Sequence, residues 1–159
     1  MTRATLAVAL AATAPLVADG AQGAQRAAPV PADAYGVATQ ISSWGPRPAT
    51  SARDARAHRL MRRVLERAGL RVGVQEFRVP GRGRSRNVIG VYDTPRSCLR
   101  IVMAHADTAP AGPGANDNAS GLGVVASLAG RLRLIGPRCD VWCAGPQDGG
   151  RGTAGALAT

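Results

Sequence analysis

Residues 101–123 read IVMAHADTAPAGPGANDNASGLG, and the order of residue types in this stretch decides the fold. An apolar run over residues 99–104 stops at His105-Ala106-Asp107, and a loop rich in Gly, Pro and Asn follows. Leu122, Val124, Val125, Leu128, Ala129, Leu132 and Ile135 then recur at helical spacing. A near-continuous apolar strand suits burial on both faces of a sheet. The stretch therefore predicts a buried strand, a loop and one helix of about four turns. Residues 139–143 supply the next strand, which makes a βαβ unit with a right-handed crossover.

Upstream, Ser51 and Asp54 have the spacing of a capping box, and Ala57, Leu60, Met61, Val64, Leu65 and Ala68 form one apolar stripe ended by Gly69. Residues 70–79 and 87–92 read as two strands, separated by a turn over residues 80–85. The order helix, strand, strand, strand, helix, strand predicts an α/β domain with a mixed, mostly parallel sheet whose first strands form a hairpin edge. Residues 24–46 lack a sustained period and read as a linker, so the domain is assigned to residues 47–144, with structure starting at about Thr50.

Hydrophobic residues make up 45% of the chain and aromatics 3%, so the core must be aliphatic. The net charge of +10 is carried by arginine alone, because the sequence contains no lysine. Arginines 56, 59, 62, 63 and 67 crowd one predicted helix without aromatic residues to stack bases, which fits a solvated face better than a nucleic-acid contact, and no nucleic-acid partner is expected. Residues 1–23 combine Arg3, an apolar run over residues 4–17 and the small residues Ala21-Gln22-Gly23, the pattern of a signal peptide. The expectation is a secreted or extracytoplasmic protein with no membrane partner, since the apolar run is too short to span a bilayer. Cys98 and Cys139 each open a strand of the βαβ unit and are expected to form a disulfide, with Cα atoms about 4.4–6.8 Å apart; the alternative is two small buried thiols. Cys143 has no evident mate.

His105 and Asp107 fall just past the carboxyl end of the predicted buried strand, where ligand sites form in open α/β sheets. His105 can bind a metal through one ring nitrogen, and Asp107 is a nearby carboxylate able either to hold the proton of the other nitrogen or to add an oxygen. Asp117, at the foot of the next helix, has two oxygens able to bridge two ions. Gly112, Gly114 and Ala115 are expected to leave room beside the backbone for ions and substrate.

Met103-Ala104-His105-Ala106-Asp107, followed by Gly114-Ala115-Asn116-Asp117-Asn118-Ala119-Ser120-Gly121, resembles the co-catalytic zinc exopeptidases, a family of secreted bacterial aminopeptidases, glutamate carboxypeptidases and glutaminyl cyclases. Gly45-Pro46-Arg47-Pro48 and Ser85-Arg86-Asn87-Val88-Ile89-Gly90 are softer matches, and the resemblance covers residues 44–142. It implies a three-layer zinc-exopeptidase fold and a peptide substrate. His105 would ligate one zinc, Asp117 would bridge both zincs, and Asp107 would take the catalytic position that orients His105. It also implies a cis bond between Asp117 and Asn118, and a shared water that attacks the peptide carbonyl while a glutamate acts as base.

The family places an adjacent Glu pair where this sequence has Asp148, Gly149 and Gly150. No glutamate follows Glu76, and the other histidine is His58. The expectation is a truncated, inactive chain that binds one zinc weakly or none, with residues 145–159 an aberrant tail produced by a frame shift near Trp142. The competing readings are a non-catalytic exported binding module of the same fold and, behind it, a basic nucleic-acid-binding protein.

Overall fold

A computed structural model describes residues 33–145. The signal segment, residues 24–32 of the linker and residues 146–159 of the tail, Asp148 among them, lie outside the described residues.

The first element corrects the expected linker: α1 spans Ala34–Ser42. Asp33 caps it by accepting from the Gly36 amide at 2.7 Å. Its buried face is Val37 and Ile41, two residues four apart, which is too short a stripe to stand out in an Ala/Pro/Gly-rich segment. α1 packs on α3 (Ser120–Ala129), and a Cβ at Gly123 would collide with the carbonyl oxygen of Ala34. The missing side chain is what lets the two backbones touch.

α2, Ala52–Arg67, forms where the stripe predicts it. Ser51 Oγ accepts from the Asp54 amide at 3.1 Å, and Asp54 Oδ2 reaches back to the Thr50 amide at 3.1 Å. Gly69, at φ +79°, ends the helix and lets the Leu70 amide bond Leu65 at 3.2 Å. Leu60, Met61 and Leu65 are fully buried, each stabilising the fold by about 1.5–3 kcal/mol.

β1 (Arg71–Val79) and β2 (Gly83–Tyr92) form the expected antiparallel hairpin, β2 starting four residues before the predicted strand at 87. β3 (Leu99–Met103) and β4 (Asp140–Gly145) pair in parallel across the crossover helix, and β4 also pairs antiparallel with β2. The sheet is mixed, as expected, in the order β1-β2-β4-β3, but among the described residues it is not mostly parallel, since only the β3–β4 pairing runs parallel. The Cys98–Cys139 disulfide forms at the start of β3 and β4, with Cα atoms 4.8 Å apart. Cys143 is a free, buried thiol whose pKa burial pushes up to about 11.

Two further expectations need correction. The predicted helix to Ile135 breaks at Gly130, leaving α3 and a single turn, α4 (Leu132–Ile135), ended by Gly136 at φ +58°. Leu134 and Ile135 are exposed, so the apolar period runs past the end of the buried face. Nor is β3 buried on both faces: among the described residues it is the margin of the sheet, and Leu99, Ile101 and Met103 are 47%, 41% and 54% exposed. An apolar run reports what a strand is able to bury, not what covers it. The core instead lies between the sheet and α1, α2 and α3, through Val88, Val141, Cys143, Leu122, Val125 and the faces already named.

Candidate metal centre

Beyond Met103 the ladder continues for one bond, Ala104 N–H to Ala144 O at 3.1 Å, and the chain then leaves the sheet. Ala104 and Ala106 are buried, and between and after them His105 and Asp107 stand at the mouth of the sheet. The alternation of the strand outlasts its hydrogen bonds and aims the imidazole.

Nδ1 of His105 lies 3.1 Å from the Asp107 carbonyl oxygen and 3.5 Å from Oδ1 of the same residue. Nε2 lies 2.9 Å from Oδ1 of Asp117. The hydrogen bond to the Asp107 side chain raises the pKa of His105 above its ordinary value. Partial burial opposes that shift, while the Asp107 charge, the Asp107 carbonyl and Asp117 add to it. The Asp117 side chain itself is 82% exposed.

This geometry has a direct chemical consequence. With the Nδ1 proton donated to Asp107, a neutral ring turns the Nε2 lone pair toward a carboxylate oxygen, an arrangement that needs a cation between the two. A proton satisfies it, and so does a metal ion. His105 and Asp117 therefore fit as two donors of a zinc site, imidazole nitrogen and carboxylate oxygen being ordinary zinc ligands. Among the described residues no group of three or more His, Cys, Asp or Glu is placed to hold a metal.

The loop between these residues is shaped by its neighbours. Residues 115–119 make an irregular turn into α3, and the Asp117–Asn118 bond is cis, as the resemblance implies. Asn118 Oδ1, rather than Asp117, caps α3 by accepting from the Gly121 amide at 3.0 Å. Gly112 has open space where a Cβ would stand. Gly114, at φ +60°, does not leave the room expected of it: a Cβ there would collide with Thr108 and with the Asp117 carbonyl.

Sequence reasoning gave Arg47 no role, yet it is the largest fully buried side chain among the described residues. Its guanidinium donates to the carbonyls of Ala106 (3.1 Å), Ile41 (3.2 Å), Gly45 (3.1 Å), Pro113 (2.6 Å) and Gly114 (3.3 Å). Burial lowers its pKa, while the charges of Asp54 and Asp107 raise it. The available signal was an arginine set between Pro46 and Pro48, a place where a solvated charge has no evident use.

The fold is that of the zinc exopeptidases. It superposes on a leucine aminopeptidase precursor from Bacteroides thetaiotaomicron with a TM-score of 0.67 at 23% identity, covering 82% of this chain and 52% of that one. A zinc aminopeptidase from Bacillus subtilis gives a TM-score of 0.68 at 15% identity, covering 75% of this chain and 62% of that chain. A glutaminyl cyclase from Fimbriiglobus ruber gives 0.67 at 22% identity, with 75% and 46% covered. Within the fold, residues 87–140 match the model of Peptidase family M28. No curated protein matches the sequence. The chain spans about half the length of the solved structures it resembles.

Proposed function

We propose that this chain carries part of the metal centre of an exported zinc-dependent peptidase of the aminopeptidase type. The observation that supports it is the His105 ring, held between Asp107 on Nδ1 and the Asp117 carboxylate on Nε2. His105 and Asp117 would hold the ion, and Asp107 would keep the imidazole in the tautomer that presents Nε2. Zinc in such a centre polarises a carbonyl and makes a bound water a nucleophile near neutral pH. Peptide substrate is the reading that goes with the aminopeptidase resemblance, and the signal pattern of residues 1–23 supports export.

The same residues set the expected limit on activity. No glutamate follows Glu76 in these 159 residues, and we expect them to bind one ion weakly or none. A non-catalytic binding module is the second reading, favoured by the lack of a third ligand among the described residues. Zinc titration of the wild type beside His105→Ala and Asp117→Asn, with an aminoacyl nitroanilide assay, tests the proposal. The expected result is weak single-site binding, abolished by either substitution, with no hydrolysis. Equal binding by all three proteins overturns the assignment of the ligands.

A further inference from the structure

Two loops supply the candidate centre, one carrying His105 and Asp107, the other Asp117, and both meet on a single guanidinium. Arg47 donates to Ala106, the residue between His105 and Asp107. It also donates to Pro113 and Gly114, at the start of the turn that presents Asp117. Its main chain clips the first loop again: Arg47 N–H donates to Thr108 Oγ1 at 2.8 Å, and Thr108 N–H donates to the Arg47 carbonyl at 3.0 Å. The remaining bonds, to Ile41 in the last turn of α1 and to Gly45 just beyond it, fasten the guanidinium to the carboxyl end of α1, where the dipole favours a cation.

Arg47 is fully buried, so it offers no face to a substrate, and its donors are occupied by main-chain carbonyls. Resting on the metal-centre reading above, we infer that Arg47 is the positioning residue of that centre, setting the distance between the His105 loop and the Asp117 loop. The planar fork is what the task needs. It reaches carbonyls on several segments in one plane, which the point charge of a lysine cannot do. Its charge also faces Asp107, the group that holds the His105 imidazole, so one side chain fixes both the backbone around the centre and the electrostatic surroundings of the carboxylate behind it.

Arg47→Lys separates this role from general stabilisation, because it keeps the buried charge beside Asp54 and Asp107 while removing the fork. Hydrogen exchange and zinc titration are the two readouts, with Leu60→Ala, destabilised through the α2 core, as the baseline for a merely structural loss. Arg47→Lys is expected to lose protection selectively at the Thr108 and Ala119 amides, which bond Arg47 and Gly114, while the β1–β2 hairpin keeps its protection. Zinc affinity is expected to fall about 10-fold to 100-fold, the range typical for loss of a group that orients a ligand. Protection lost evenly, as in Leu60→Ala, overturns the inference, and so does selective loss with wild-type zinc affinity. If the wild type binds no zinc, the metal reading fails alone, and the exchange pattern still decides whether Arg47 sets the two loops.

Discussion

Nε2 of His105 and Oδ1 of Asp117, twelve positions apart in sequence, stand 2.9 Å apart, one from the mouth of the sheet and the other from the turn before α3. A proton closes this contact, and on the metal-centre reading proposed above a zinc ion would compete with it, with a balance set by pH.

Zinc affinity should therefore fall as pH drops through the raised pKa of His105, by about tenfold per unit for competition with one proton. Asp107→Asn removes the leading cause of the raised value and should move the midpoint to lower pH. Competition titrations with a zinc-sensitive dye at several pH values check both directions.

The metal-free chain should show the same linkage in its stability. The folded pKa of His105 lies above its unfolded value, so the stabilisation is fully present below the unfolded pKa and is lost as pH rises through the folded one. Urea unfolding of the wild type and His105→Gln should diverge on the acid side of that window and converge on the alkaline side.

Removing the bridge by Cys98→Ser with Cys139→Ser opens a loop with a sequence separation of 41. Loop-closure entropy gives about 4 kcal/mol for a ring of this size, an upper figure beside the usual 2–4 kcal/mol. Thermal unfolding with and without reductant should show a lower Tm for the double variant and no further effect of reductant on it.

Gly123→Ala should lower stability by about 1–3 kcal/mol through overpacking, because the new methyl meets the Ala34 carbonyl. Exchange protection should fall first in α1. Gly73→Ala, where a Cβ meets nothing within 4 Å, is the control and should change little.

Ile101→Lys and Met103→Lys should reduce self-association without a comparable loss of stability. Both side chains are exposed on the marginal strand β3, whose outer edge has no strand beside it among the described residues. Light scattering against concentration checks this.

The sequence made the βαβ unit, the hairpin, α2 and the disulfide legible because each rests on a signal confined to a few adjacent residues. Ser51, Asp54 and Gly69 mark both ends of α2, and Cys98 and Cys139 open neighbouring strands. The types and spacing of His105, Asp107 and Asp117 made their contact legible, the ring of His105 lying between the two aspartates. What was not legible depended on distant neighbours. The α1 helix shows only Val37 and Ile41, and its reason to exist is a bare backbone at Gly123 more than eighty residues away. Arg47 stands in the sequence only as part of a soft family match, and its task becomes evident when carbonyls from three segments are seen converging on it. The exposure of β3 is likewise a property of what lies beside a strand, which its own apolar run does not encode.

The Cys98–Cys139 bridge has a topological consequence. His105, Asp107 and Asp117 all lie between the two cysteines, inside one covalent ring. A protease that nicks the exposed loop at residues 109–112 would leave both new ends tethered to each other, and the two pieces would part on a gel only after reduction.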